Sequence, residues 1–461
     1  MAVLAALLAA WDPVAAAGPA GEAGATPPTS TDLQRRHVVI TAVGDTGFGS
    51  HLAPVLASGG HKHGRFQTWG DALSSIAGEI DGDFNFANLE TVVTARNDLP
   101  PVSKAYNFRT HPDAVRYLAQ IGFNLFSTAN NHAFDYGRPG LLETLDNMDA
   151  LGPRIAHAGV GRNLAEAAAA RQVEAGGARI AFAAIGIGAG HGGAANARPD
   201  RPGQLAVHHR GDVDLMLDNL AAADADYRIV SVHSGKERLV VPLPGEIALW
   251  RDTALASGAA DLVLVHHAHV ARPVAMVGGR VVFFGLGNFA HFGTANMNGA
   301  GICRDFSMLA RIHLLDDVDG VLRLAAIEIV PIRSTHIRPE RFEPEEGRRR
   351  IAVLNGLAAL LDAPERGATG LRFTAREDGT GLFCTELGSG DAGEVGQICT
   401  GYDGVAAELR GIGRCCLSAA CAAPARRVTK VSSEPARTRP RLPAPFRAGD
   451  GNARRLPFSG R

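Results

Sequence analysis

Short apolar runs recur along the first two-thirds of the chain: "HVVITAV" at 37, "DFNFANL" at 83, "FNLFSTA" at 123, "RIAFAAIG" at 179, "YRIVSVH" at 227, "DLVLVHH" at 261 and "VVFFGLG" at 281. Runs so short and so continuously apolar belong to strands covered on both faces. The segments between them are helical. Thr110 can cap "HPDAVRYLAQ", with Pro112 in its first turn and Gly122 past its end. In "RPGLLETLDNMDALG", Leu141, Leu145, Met148 and Leu151 fall three or four apart and form one apolar stripe. Strands alternating with helices predict right-handed crossovers in an α/β layered domain. From 307 the helices stop, and "SMLARIHLL" and "VLRLAAIEIV" around the turn-prone "DDVDG" predict a β-hairpin.

This pattern sets the domain boundaries. Residues 1–36 are a leader and linker, in which "MAVLAALLAAWDPVAAAGPAG" carries an apolar run followed by small residues, with no Lys or Arg before it. That is a secretory signal lacking its basic start, or an Ala-rich leader. The first reading puts the protein in the cell envelope, extracytoplasmic or membrane-associated, and the second leaves it cytoplasmic. Residues 37–340 hold the folded domain. Residues 341–461 carry one helix, near 351–362 after "RPERFEPEEGRRR", and then lose all periodicity. The Gly, Ala, Arg, Pro and Ser of this tail bury too little apolar surface to offset ordering entropy, so it is expected to be mostly disordered. Only Cys303 precedes position 384, so the main body holds no cysteine pair to oxidise, and the later cysteines lack zinc-site spacing. With 46 Lys plus Arg against 47 Asp plus Glu there is no global field to draw nucleic acid, and any anion must be met locally.

Ligands of α/β sheets sit at the carboxyl ends of strands. There the chain places Asp45 after "ITAVG", Asn88 and Glu90 closing "FNFANLE", Asn131 and His132 after "FSTAN", His233 after "IVSV", His266, His267 and His269 after "LVLV", and Asn288 after "FFGLG". Each alone has an ordinary explanation, as a helix cap, an Asx turn or a hydrogen-bonded core histidine. Their occurrence in one ordered series at successive strand ends is not turn chemistry. Carboxylates with several imidazoles suit Zn²⁺, Mn²⁺ or Fe rather than Ca²⁺. A carboxylate bridging two cations ~3.5–4 Å apart is the arrangement that activates water for phosphoryl displacement. Lys104, Arg109 and Lys236 lie in loops near these strand ends, where they can meet anionic groups of a substrate.

The motifs "VGDTGFG", "FANLET", "ANNHAFDYG", "VHSGKE", "VHHAHV" and "FGLGNF" resemble, in sequence and order over about 38–335, the capsule synthesis protein CapA family associated with poly-γ-glutamate biosynthesis. That family is similar to the calcineurin-like metallophosphoesterases. The resemblance implies a four-layer α/β/β/α sandwich of metallo-dependent phosphatase type holding one or two divalent ions (Mn, Zn or Fe). It makes Asp45, Glu90, Asn131, His233, His267 and His269 the metal ligands, with Glu90 bridging and Asn88 a rival for that place. His132 becomes the catalytic acid that protonates the leaving group. Asn88, Lys104, Arg109, Lys236 and Asn288 are left to bind substrate, an anionic polymer or phosphoester, with membrane-bound capsule synthase components as partners.

Two departures stand out. The phosphoesterase pattern begins Asp-x-His, but Gly47 stands two residues after Asp45, and His51 is four further on. The family's "HWG" is "HSG" here, with Ser234 in place of a tryptophan. The lost histidine favours a non-catalytic factor that binds polymer in the same cleft. The retained Asn131 and His132 favour a metal-dependent hydrolase acting in synthesis or export of an anionic envelope polymer.

Overall fold

The structure is a computed structural model that describes residues 35–49, 54–62, 65–188, 193–252, 258–362, 367–404, 406–407 and 411–417. The chain divides into Met1–Pro424 and Ala425–Arg461, and every described residue belongs to the first unit. The leader, His51 and residues 418–461 lie outside the described residues.

Among the described residues, seventeen strands make two large sheets. The first, of ten strands, contains β1 (His37–Gly47), β2 (Phe84–Leu89), β3 (Leu125–Ser127) and β4 (Ala156–Ala158). The second, of seven, contains β5 (Arg171–Ala175), β6 (Ala178–Gly186), β7 (Tyr227–His233), β8 (Leu262–His266), β9 (Val274–Val277) and β10 (Arg280–Phe283). The chain then returns to the first sheet as β11 (Asn288–His291), β12 (Ser307–Asp316), β13 (Leu322–Arg333) and β14 (Glu340–Arg341). Late in the chain β15 (Ala368–Gly370) edges the second sheet, and β16 (Thr374–Ala375) and β17 (Gly381–Cys384) edge the first. Strands β1 to β4 run parallel to one another, β11 is parallel to β1, and β6, β7, β8 and β10 are parallel in the second sheet. The expected hairpin is β12 against β13, antiparallel, with a bulge at His313/Leu314.

Alternation along each strand sorts its residues between two faces. Val38, Ile40, Phe84 and Phe86 of the first sheet share one buried cluster with Ile180, Phe182, Ile229 and Leu264 of the second. Phe86 meets Phe182 edge-to-face at 5.7 Å, so the two sheets face each other. The opposite face of the first sheet, with Val43, Ala87 and Phe126, packs on α1 (Trp69–Leu73) and α2 (Pro112–Gln120). The opposite face of the second, with Val230 and Val263, packs on α5 (Arg210–Ala221) and α6 (Pro244–Trp250), counted after α3 (Gly137–Asp149) and α4 (Leu164–Ala168). Helix α2 begins with Pro112 as expected, but its cap is His111, whose ring accepts from the Asp113 N–H, and not Thr110. The Thr110 hydroxyl is engaged instead with the Phe48 N–H.

Two expectations need correction. Helix α7 spans Pro344–Ala358 and so begins inside the charged segment ahead of 351–362; Pro344 sits in its first turn and Ile351, Leu354 and Leu357 face the core. The disordered tail does not hold for its described part, residues 367–404, 406–407 and 411–417. Strand β15 pairs with β9 and β17 with β13, followed by α8 (Glu386–Ser389), α9 (Glu394–Ile398) and α10 (Ile412–Leu417). Among the described residues, disulfides Cys384–Cys399 and Cys303–Cys416 tie this segment down, the second giving the lone cysteine of the main body a partner 113 positions away. Sheet edges supply hydrogen bonds and crosslinks reduce the entropy of the unfolded chain, so the segment orders without a periodic apolar pattern of its own.

Candidate metal centre

Register brings the donors together. Asp45 of β1 lies beside Asn88 of β2 and Asn288 of β11, and in the facing sheet His233 of β7 lies beside His266 of β8. The strand ends approach closely because glycines leave space. A Cβ at Gly44 would sit 1.9 Å from the Gly287 carbonyl oxygen, against which the Asp45 N–H hydrogen bonds at 2.9 Å. Beyond β8, His267 (φ 85°) and His269 (φ 57°) both adopt left-handed backbone. Such conformations cost about 1–3 kcal/mol each in non-glycine residues and gather at functional sites.

Glu90 is the centre of the cluster. It is fully buried, and neither carboxylate oxygen has a hydrogen-bond partner. Its Oε1 faces His233 Nε2 at 3.4 Å and His132 Nε2 at 3.9 Å, and its Oε2 faces His291 Nε2 at 3.2 Å and His269 Nδ1 at 3.7 Å. Two lobes result. In the Oε1 lobe, His233 Nε2 lies 2.6 Å from Asn131 Oδ1 and 3.1 Å from His267 Nδ1. In the Oε2 lobe, His269 Nδ1 lies 3.2 Å from Asp45 Oδ2 and 2.8 Å from Asn288 Oδ1. Glu90, His267 and His269 each offer a ligand atom within 4.8 Å of the others.

The electrostatics follow from burying two carboxylates among imidazoles. Burial works to raise Glu90, but the charges of His269 and His233 and the close approach of His233 and His291 hold it well below the ordinary range. Asp45 is lowered too, because its contact with His269 and the His233 charge outweigh burial and the Glu90 charge. Burial drives His266 down to about 4 and His267 down to about 3, so both are neutral and keep a lone pair to give. For His269 burial is outweighed by Glu90 and Asp45, and it is raised to about 10.

These residues fit a divalent cation. Both Glu90 oxygens, Asn88 Oδ1 and both ring nitrogens of His266 and of His291 are buried without hydrogen bonds. Buried polar atoms are ordinarily satisfied, and several orphans around one point are the donor set of an ion. Of the residues expected as ligands, Asp45, Glu90, Asn131, His233, His267 and His269 all converge.

His132 borders the same point. Its Nδ1 lies 2.6 Å from Asp135 Oδ2, which makes Nδ1 the protonated nitrogen and turns Nε2 toward Glu90. Phe108 lies against its ring at 4.2 Å. Burial lowers its pKa against the opposing contact with Asp135. Asn130 forms the turn, accepting from the His132 N–H and donating to the Leu89 carbonyl.

The residues expected to bind substrate separate. Asn288 lines a cleft of about 310 Å³ together with Lys62, Phe108, His132, Arg238 and His269. Asn88 is fully buried and donates to Asp45 Oδ1 at 2.7 Å, so it supports the donors from below. Lys104 is paired with Asp135 and donates to the Asn131 carbonyl at 2.8 Å, beneath His132. Arg109 lies over the Tyr136 ring at 5.2 Å. Lys236 is exposed and does not line this cleft, while Arg238 does. The residues not anticipated are His291 and Asp135. The first is a histidine inside an apolar strand, and the second is the Asp of "NNHAFD", whose spacing from His132 within one tight turn was available as a signal.

The chain belongs to the bacterial capsule synthesis protein PGA_cap family, whose description matches residues 39–292, more than half of its length. It is similar to the PGA biosynthesis protein CapA of Bacillus subtilis (strain 168), 28% identical over 249 residues, 54% of this chain and 62% of that protein. A probable polyglutamine synthesis accessory protein of Mycobacterium tuberculosis (strain CDC 1551 / Oshkosh) is 28% identical over 281 residues, 59% of this chain and 71% of that protein. The capsule biosynthesis protein CapA of Bacillus anthracis is 24% identical over 304 residues, 64% of this chain and 68% of that protein. The chain thus spans less than two-thirds of the length of the Bacillus subtilis relative.

Proposed function

We propose that the protein is a CapA-like, metal-dependent phosphoesterase-type hydrolase, acting in the synthesis or export of poly-γ-glutamate or a related anionic envelope polymer. The observation that carries the reading is Glu90, a buried carboxylate whose two unpaired oxygens face two separate sets of imidazoles. The facing sheets with helices on their outer sides fit the four-layer α/β/β/α sandwich of metallo-dependent phosphatases. Asp45, Glu90, Asn131, His233, His267 and His269 would hold one or two ions (Mn, Zn or Fe), which when bound supply Lewis-acid polarisation of a phosphoryl oxygen.

The chain's own residues do the rest. Asp135 accepts from His132 Nδ1–H and stabilises the imidazolium, so that Nε2–H can give its proton to the leaving oxygen. Lys104 holds Asp135 and the Asn131 carbonyl and thereby fixes this turn. Phe108 shields the ring from water on one face, and the cleft beside it admits the ester. Arg238, which lines the cleft, takes the place expected of Lys236 as a cation for an anionic substrate. The disulfides Cys384–Cys399 and Cys303–Cys416 suit an oxidising compartment and support an extracytoplasmic envelope location. Among the described residues no helix is long and apolar enough to cross a membrane. The relatives named for PGA and capsule biosynthesis support the pathway, and membrane-bound capsule synthase components are the partners this reading expects.

The test is metal analysis of purified protein followed by assay on p-nitrophenyl phosphate and bis(p-nitrophenyl) phosphate with Mn²⁺. The expected result is bound metal and hydrolysis that His132→Ala abolishes while metal content stays. Metal-free protein, or bound metal with no turnover of either ester, refutes the hydrolase reading.

A further inference from the structure

Gly47 ends β1 and is the registered partner of His291, the last residue of the parallel strand β11. Registered neighbours present their side chains to the same face of a sheet. A Cβ at 47 would stand 3.6 Å from His291 Cε1, so any longer side chain there would compete with the His291 ring for one space. The Asp-x-His pattern puts an imidazole at this position, and glycine leaves it open. The imidazole arrives instead from the adjoining strand.

His291 has no other occupation that explains it. The residue is 0% exposed, its Nε2 stands 3.2 Å from Glu90 Oε2, and neither ring nitrogen has a hydrogen-bond partner. A histidine held in a core for packing alone normally satisfies at least one nitrogen, because an orphaned buried polar group costs about 1–3 kcal/mol. Phe108 meets the ring edge-to-face at 5.3 Å, and the backbone is tied by His291 N–H to the Thr335 carbonyl, so the imidazole is held in place from both sides. His266 is orphaned as well, but its ring stacks on Phe86 at 5.4 Å, and its nearest carboxylate contact is longer, 3.7 Å to Asp45 Oδ1.

We propose that His291 is a metal ligand in the Oε2 lobe of Glu90, doing from β11 what the Asp-x-His pattern does from the position of Gly47. The chain thereby keeps the donors of both lobes, with Asp45, Glu90, His269 and His291 on one side and Glu90, Asn131, His233 and His267 on the other. The inference rests on the reading of the site as a metal centre, and the experiment separates the two.

Full-length protein is stripped with chelator, reloaded with Mn²⁺ or Zn²⁺ alone, and assayed for bound metal by mass spectrometry and for affinity by chelator competition. The parent is expected to bind ~two equivalents. His291→Phe, which keeps a buried ring, is expected to lose one of them or to weaken it by at least ~10–100-fold. Adding Gly47→His to His291→Ala returns an imidazole from the neighbouring strand and should regain what His291→Ala loses. The unfolding temperature of each stripped variant, matched to the stripped parent, shows that lost metal is not lost fold. A parent that takes up neither ion ends the metal reading itself. A parent that loads, with His291→Phe loading equally and at equal affinity, overturns the role of His291 and leaves the rest of the centre standing.

Discussion

Asp135→Asn separates His132 as an acid from His132 as a ligand neighbour. The carboxylate is fully buried, receives His132 Nδ1–H at 2.6 Å, and also accepts from Lys104 and the Phe108 N–H. Asparagine keeps the shape and removes the charge that stabilises the imidazolium. A hydrogen bond to a charged partner is worth about 1.5–3 kcal/mol, so turnover of bis(p-nitrophenyl) phosphate with Mn²⁺ should fall roughly 10- to 150-fold. Loss of the acid itself in His132→Ala sets the ceiling, about 10²–10⁴-fold. Metal content should not change, since Asp135 faces away from Glu90. A second readout needs no substrate. Asp135 opposes the burial that lowers His132, so in the variant the His132 imidazole, followed by NMR titration, should titrate at still lower pH. Turnover within threefold of the parent together with an unmoved His132 titration would refute the dyad.

Replacing Cys303 and Cys416 together by Ala releases a loop of sequence separation 113, worth about 5 kcal/mol in unfolded-chain entropy; for a domain of roughly 380 residues this lowers the melting temperature by roughly 6 °C. Reductant should shift the parent in the same direction, and a scanning calorimeter reads both. Glu328 is held at about 2, burial being outweighed by His313 and Arg376, below its ordinary 4.5. Its folded pKa is the lower one, so it contributes roughly 3 kcal/mol above pH 4.5 that is lost as pH falls toward 2. Urea unfolding of Glu328→Gln against the parent at pH 7 and pH 3 should show the difference shrinking at the lower pH.

The convergence of these side chains was legible because each closes an apolar run, and α/β sheets collect their strand ends at one edge. Asp45, Glu90, Asn131, His233, His267 and His269 came from that rule together with the motif order. His291 was not legible, since one histidine within "NFAHFG" reads as part of a buried strand, and only the β1 register shows that it faces the bare Gly47. The cations failed for a related reason. Loop proximity in sequence does not say whether Lys104 turns to solvent or inward to Asp135, because long side chains follow whatever partner the fold provides. The strands between 368 and 384 were missed because strands of two to four residues carry no measurable period, and their stability comes from edges and disulfides set by distant residues.

The same features that make the centre conspicuous also cost stability, which gives a test independent of chemistry. Two left-handed histidines cost about 1–3 kcal/mol each, and the orphaned atoms of Glu90, His266 and His291 add about 1–3 kcal/mol apiece. Against a net stability of ~5–15 kcal/mol, a purely structural cluster would be better replaced by packed apolar residues. A cation bound only by the folded state offsets these terms, and at a free concentration of ~100 times Kd it adds about 2.7 kcal/mol. For roughly 380 residues that is a rise of roughly 3 °C in melting temperature, expected on adding Mn²⁺ to chelator-stripped protein and reduced in Glu90→Gln, which removes the charge common to both lobes. Identical melting of stripped and Mn²⁺-treated parent would mean that the orphaned atoms are satisfied by something other than a divalent ion.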